Sequence, residues 1–204
     1  MSNFNPRNDF RCHAILLAAG RGRRFDPQGQ ISKLHQSVQS NVSVVEQSAR
    51  HLTSAIPQCH IVVRDASDWP ASFLQQFSSS IVVCGDADLG MAHSLVSGVQ
   101  TLPQECDAVV IALADMPFVT VSTIKAIVQA LKEGAKIAVP VHQGQRGNPV
   151  GFSKALFGEL LQLRGDQGAR ALLKSYPVSE VLVNDTGILR DIDTPADLSG
   201  PSAI

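Results

Sequence analysis

The chain has 204 residues, 44% of them hydrophobic and 17% charged, with a net charge of −1. This composition excludes a disordered chain, and a near-neutral balance with no basic stripe argues against a nucleic-acid partner. The length suits one domain, residues 1–204, with a sizeable core.

No run is apolar enough to span a bilayer, and Met1 to Asp9 lacks the apolar region of a signal peptide. A cytoplasmic protein with no membrane partner is expected. The cysteines Cys12, Cys59, Cys84 and Cys106 are too far apart for a zinc or redox pair. They are read as small buried thiols.

Short apolar runs rich in Val and Ile alternate with helical patterns. The first predicted strand, Cys12 to Ala18, runs into Ala19-Gly20-Arg21-Gly22-Arg23-Arg24-Phe25, and Lys33 follows one short loop later. A helix is predicted over Val42 to Ala55, a strand over His60 to Val63, a helix over Pro70 to Phe77 and a strand over Ser80 to Cys84. Then come a helix over Met91 to Leu102, a strand over Ala108 to Leu113, a helix over Val121 to Glu133 and a strand over Lys136 to Pro140. Helices over Lys154 to Leu161 and Gly168 to Tyr176 precede a last strand, Glu180 to Val183. Nearly continuous hydrophobicity in the strands suits buried parallel pairing. The alternation predicts an α/β fold, a doubly wound, mostly parallel sheet with helices on both faces.

Ligands of such sheets bind beyond the carboxyl ends of the strands. That rule selects the Gly20 loop, the segment Gly85 to Ser94, Ala114-Asp115-Met116-Pro117, and Arg190 to Pro195. The first of these reads as an anion cradle. Ala18, Ala19, Gly20 and Gly22 let backbone N–H groups approach a ligand, while Arg21, Arg23, Arg24 and Lys33 supply charge. It is neither a P-loop, since no Gly-Lys-Ser/Thr occurs, nor a dinucleotide fingerprint, since the third glycine is replaced by Phe25. A basic surface turn is the competing reading.

Asp115 ends a strand across from this cradle, where a carboxylate suits Mg²⁺ held jointly with phosphates; a turn cap is the alternative. Asp191 and Asp193 would share a face if extended, so either is a candidate second ligand. Asp193 could instead cap a helix that has Pro195 at its first position. Gly90 and Ser94 open a helix whose free N–H groups could read a base, with His93 taken as a solvent-facing first-turn residue. The loop Gly144 to Phe152 suggests either a close approach, with Arg146 meeting a second anionic substrate, or a β-hairpin turn. Asp166 is a plausible N-cap of the following helix, and Arg170 a further anion contact. Together these features describe nucleotidyl transfer: cations neutralise a triphosphate, and an acceptor oxygen attacks the α-phosphorus to expel pyrophosphate.

The motifs L-A-A-G-R-G-R-R-F with Lys33, G-M-A-H-S-L, A-D-M-P-F-V, Q-R-G-N-P-V-G-F, G-D-Q-G-A-R and D-I-D-T-P-A-D-L stand in family order over Cys12 to Leu198. The chain resembles the nucleotidyltransferases of the molybdenum-cofactor type, and is most similar to the cytidylyltransferases among them. The resemblance implies a Rossmann-like, three-layer domain of the nucleotide-diphospho-sugar transferase type. It implies transfer of CMP from CTP to molybdopterin with Mg²⁺ as cofactor.

Leu17, Ala18, Ala19, Gly20, Arg21, Gly22, Arg24 and Lys33 match the triphosphate loop, and Gly90 and Ser94 the base-side segment. Asp115 matches the magnesium aspartate and the Asp191/Asp193 pair the second carboxylate. Arg21, Lys33 and Asp115 are the catalytic candidates. Arg146, Gly147, Asn148 and Asp166 match the region facing the pterin. The L-A-A-G form goes with cytidylyl transfer, and L-A-G-G with guanylyl transfer. Two departures stand out: the link Asp26 to Ser32 is longer than usual, and the polar stretch Leu34 to Val42 replaces an apolar segment.

The resemblance further implies a monomer using CTP and a pterin-phosphate acceptor, with a molybdoenzyme or chaperone as a possible protein partner. Guanylyl transfer, transfer to another phosphorylated acceptor, a nicotinamide-linked oxidoreductase and a non-catalytic nucleotide-binding chaperone remain as alternatives.

Overall fold

The computed structural model describes residues 10–28, 30–39, 41–69, 73, 76, 80–166 and 168–198. Its central sheet has the strand order β10-β7-β9-β6-β1-β4-β5, with β8 paired to β7. The strands are β1 (Cys12–Leu17), β4 (Cys59–Val63), β5 (Ser80–Val83), β6 (Ala108–Leu113), β7 (Ile137–His142), β8 (Gln145–Arg146), β9 (Val150–Ser153) and β10 (Val178–Leu182). A separate two-stranded ladder joins β2 (Ser37–Gln39) and β3 (Val42–Ser43).

Helices α1 (Val44–Ala55) and α3 (Val121–Lys132) cover one face, packing Val44, Ala49, Leu52, Ile124 and Ile127 onto Leu16, Ile61 and Val110. Helices α2 (Met91–Gln100), α4 (Phe157–Leu161) and α5 (Arg170–Ser175) cover the other, with Leu95, Val99, Leu160 and Leu172 against Ile15, Val62 and Val109. The strands carry apolar residues on both sides because both faces are covered. A capping box on Ser43 and Glu46 starts α1, each side chain satisfying the other residue's backbone N–H. The helix expected over Pro70 to Phe77 lies outside the described residues except for Phe73 and Gln76.

Strand β9 is antiparallel to both β6 and β7 and lies within the stretch Gly144 to Phe152, where the sequence predicts a loop. Its signal is weak because Pro149 precedes it and Gly151 interrupts its four residues. That glycine is a packing requirement: a Cβ there would lie 2.6 Å from Leu131 and 2.7 Å from Ile127 of α3. The stretch Gly144 to Phe152 therefore contains both features weighed from sequence. Gln143 and Gly144 have φ of 48° and 78° and turn β7 into β8, as a two-residue hairpin loop requires. Gly147 makes the close approach, since a Cβ there would lie 2.2 Å from the Ile188 carbonyl oxygen.

Asp166 is not a helix cap. Helix α5 begins at Arg170 behind Ala169 with no side-chain cap, because Gly168 has φ of 53° and cannot belong to the helix. All four cysteines are free. Burial, with a smaller push from Cys106, drives the Cys12 thiol up to about 12, so it stays protonated and inert.

Asp185 pins the C-terminal segment to the sheet. Only 6% exposed, it accepts hydrogen bonds from Thr120 N (2.9 Å), Thr120 Oγ1 (2.8 Å), Thr123 Oγ1 (2.6 Å) and Gly187 N (2.9 Å). Burial alone would raise its pKa, but the bonds from Thr123, Thr120 and Gly187 prevail and lower it. Asp185→Ala strands these donors and should cost about 3 kcal/mol in chemical denaturation. With the folded pKa depressed, the contribution is present above the unfolded value near 3.8 and is lost as pH falls through the folded pKa. Melting curves of wild type and Asp185→Ala should therefore converge on acidification below about pH 4.

Candidate functional site

Strand register assembles the site. Leu17 pairs with Leu113 at the ends of neighbouring parallel strands, so the chain leaving β1 and the chain leaving β6 emerge side by side. The bond Ala114 N to Leu17 O, 3.0 Å, continues that pairing one residue further. Strand order runs from β1 through β4 to β5 on one side and through β6 on the other, which makes this the topological switch point. Ile192 N donates to Asp115 O at 2.8 Å and draws the C-terminal segment to the same edge. Arg190 stacks over Phe118, 4.4 Å from the ring centre, and fastens that segment.

A cleft of about 410 Å³ opens here. Its lining includes Leu17, Ala18, Ala19, Gly20, Arg21, Lys33, Gly90, Ser94 and Asp115, nearly the whole nucleotide set expected from sequence, together with the acceptor candidate Asp166. Gly22 and Arg24 stand beside it. Gly22 has φ of 61° and lies against the Lys33 stem, where a Cβ would come within 3.3 Å of Cγ.

Lys33, on a 3₁₀ turn (Lys33–His35), points its ammonium between two carboxylates, 2.7 Å from Asp115 Oδ2 and 3.3 Å from Asp193 Oδ1. Its side chain is 11% exposed and each partner 23%. Arg24 reaches Asp193 from outside at 2.5 Å. Asp191 is exposed, with no ion pair among the described residues, because Ile192 between the two is fully buried and the segment is not a strand. Neither aspartate caps the turn that follows. Asp197, inside that turn, accepts from Asp193 N, Thr194 N and Thr194 Oγ1, and Pro195 opens it as expected.

Asp115 and Asp193 fit a divalent ion. They are two hard oxygen donors aimed at one point, and Mg²⁺ commonly takes one or two carboxylates and completes its shell with phosphate and water. Among the described residues no group of three or more His, Cys, Asp or Glu gathers, so the remaining ligands would be substrate and solvent oxygens.

Two charged residues of the cleft, Arg64 and Asp88, are not among the candidates read from the sequence. Arg64 follows β4 directly, so the strand-end rule could have found it. Asp88 lies inside a selected segment but not within a motif. Arg21 grips Asp88 through Nε and Nη2, and Arg64 donates to the Ala19 carbonyl at 2.8 Å. Gly90, with φ of 125°, sits so close to the loop at Asp166 that a Cβ would lie 2.6 Å from the Gly165 carbonyl oxygen. Ala92 N donates to that same carbonyl at 3.0 Å. His93 departs from expectation: it is half-buried, and its Nδ1 is shielded with no hydrogen-bond partner among the described residues.

A second cleft of about 330 Å³ shares Leu17, Met91, Leu113 and Asp166 with the first. Arg146, Gly147, Asn148 and Arg170 lie at its edge, and Leu95, Ile111, Val139, Val150 and Phe152 make it apolar. Arg146 pairs with Glu180 at 2.8 Å. The sequence candidates for the acceptor thus gather in one place beside the nucleotide candidates.

Residues 14–181 match the family described as MobA-like NTP transferase domain. The chain belongs to this family. It is a MobA-like nucleotidyltransferase by that match. It is 39% identical over 122 residues to the purine catabolism protein PucB of Bacillus subtilis, an alignment spanning 58% of each chain. Among solved structures it is similar to Rv0371c of Mycobacterium tuberculosis, with TM-score 0.77 and 25% identity over 93% of this chain and 96% of that one. Rv0371c has also been solved as a manganese complex, TM-score 0.68 and 23% identity over 86% and 89% of the two chains. A nucleotidyl transferase from Methanothermobacter gives TM-score 0.76 and 21% identity over 92% and 94%. No described helix is long and apolar enough to cross a membrane.

Proposed function

We propose that this MobA-like nucleotidyltransferase transfers CMP from CTP to molybdopterin. The observation that carries the reading is the Lys33 ammonium between Asp115 and Asp193 at the mouth of the cleft formed by the β1 loop. A triphosphate lying along Ala18 to Arg21 would meet backbone N–H groups and the side chains of Arg21, Arg23 and Lys33. Gly90 and Ser94 face the base, and Ala19 places a methyl where guanylyl relatives carry glycine. The neighbouring apolar cleft suits a flat heterocycle, with Asn148 and Asp166 at its polar edge and Arg146 and Arg170 near its phosphate.

The acceptor's phosphate oxygen attacks the α-phosphorus, and the bond to the β-phosphate oxygen breaks to release pyrophosphate. Arg21 and Lys33 offset the charge moving onto pyrophosphate, and the contiguous clefts hold the reacting atoms in line. Asp115 and Asp193 would hold Mg²⁺, which when bound would supply Lewis-acid stabilisation of the phosphate charge.

The test is pyrophosphate release with each of CTP, GTP, ATP and UTP, using molybdenum cofactor and Mg²⁺. Selective release with CTP supports the reading. Preference for GTP would move the assignment to guanylyl transfer, and NAD(P)H binding without nucleotide transfer would overturn it.

A further inference from the structure

Two arginines of the cleft share one carboxylate. Arg21 Nε donates to Asp88 Oδ1 at 2.6 Å while Nη2 meets Oδ2, a two-pronged grip. Arg64 Nη2 lies 3.5 Å from Asp88 Oδ1. A guanidinium presents the same fork to a carboxylate and to a phosphate, so a phosphate using these N–H groups must displace Asp88.

The two arginines are held differently. The Arg21–Asp88 pair is open to water, with side chains 46% and 42% exposed, and such pairs are weak and readily exchanged. Arg64 is 30% exposed, bonded to the Ala19 carbonyl in the β1 loop, and its Nε is buried with no partner among the described residues. It is therefore anchored on one side and unsatisfied on the other, in the wall of the same cleft. The Asp88 carboxyl is held below its usual range chiefly by the Arg21 hydrogen bond, so it remains an anion at working pH. It sits on a 3₁₀ turn (Ala87–Leu89) that leads into α2, where letting go of an arginine does not disturb the sheet.

We infer that Asp88 is an internal substitute for phosphate: it holds Arg21 ready, is exchanged for the incoming triphosphate, and so tunes nucleotide affinity, while Arg64 is a positioning residue that fixes the β1 loop and supplies a permanent cation. The inference rests on the reading that this cleft takes a nucleoside triphosphate. It assigns opposite signs to two neighbouring side chains. Removing the Asp88 charge frees both arginines and leaves the cleft more positive. Removing Arg64 takes away a cation and loosens the loop at Ala19.

The experiment is calorimetric titration of inorganic tripolyphosphate into wild type, Asp88→Asn and Arg64→Gln, alongside KM and kcat for CTP. Asp88→Asn should bind tripolyphosphate about two- to fivefold tighter, with KM for CTP lowered in step. Arg64→Gln should bind it about tenfold more weakly, and Arg64→Lys should recover part of the loss by restoring charge without the fork. Unchanged or weaker binding by Asp88→Asn overturns the exchange, as does a fall in kcat at unaltered KM. Tighter tripolyphosphate binding by Asp88→Asn with no transfer from any nucleotide would sink the transferase reading and keep this one. CTP transfer with equal tripolyphosphate affinity in both proteins would sink this one alone.

Discussion

Asp115→Asn should lower nucleotidyl transfer at saturating CTP and Mg²⁺ by about a thousandfold, roughly 4 kcal/mol in the barrier. The substitution keeps the shape of the side chain, so the bond from Ile192 N to the Asp115 carbonyl and the edge it organises should persist. What changes is charge. The 2.7 Å contact with Lys33 becomes a hydrogen bond to a neutral oxygen, and a divalent ion keeps only Asp193 as an anionic protein ligand. Its affinity and its grip on the phosphates fall together, so additional Mg²⁺ should restore little of the rate. The check is kcat with a thermal melt beside it: a melt within a few degrees of wild type and a thousandfold loss separates chemistry from folding. Retention of more than about a tenth of the activity would remove Asp115 from the proposed chemistry, because losing even one charge-stabilising donor usually costs more.

Much of this arrangement was legible in the sequence because parallel strands leave few choices. Strand β6 was read residue for residue, Ala108–Leu113, and once it lies beside β1 the Gly20 loop and Asp115 must share an edge. The C-terminal carboxylate was not resolvable between Asp191 and Asp193. The i, i+2 rule applies to strands, whereas here a buried Ile192 and its bond to Asp115 set the direction. Arg64 and Asp88 escaped for a different reason. Each is an ordinary polar residue locally and gains meaning only through the other and through Arg21, across sequence gaps that no motif spans. Strand β9 escaped because its glycine answers to helix α3 packed on it rather than to β propensity. The polar stretch after Lys33, which departs from the family pattern, forms the small β2–β3 ladder, and Gln36 O accepts from Val44 N at the head of α1. That stretch thereby braces the turn carrying Lys33.

Lys33→Met should reduce turnover by a factor of about a hundred to a thousand and, unlike Asp115→Asn, should lower stability. Methionine fills the space of the lysine stem that lies against Gly22 but leaves Asp115 and Asp193 facing each other with no cation between them. Both carboxylates are partly solvated, so the penalty is that of a screened pair, about 1 kcal/mol, with Arg24 still neutralising Asp193 from the outside. The response to metal gives this variant its diagnostic value. In the wild type a divalent ion held by Asp115 and Asp193 would compete with the Lys33 ammonium for those carboxylates. In Lys33→Met no ammonium lies between the two carboxylates, and only Arg24, on the outer oxygen of Asp193, still competes. Mg²⁺ or Mn²⁺ alone should therefore raise the melting temperature of Lys33→Met more than that of wild type, since a ligand stabilises according to its affinity for the folded form. Asp193→Asn in the same background should abolish the difference. An equal metal-induced shift in wild type and Lys33→Met would show that the ion and the ammonium do not share those carboxylates, and the placement of the metal between Asp115 and Asp193 would fall with it.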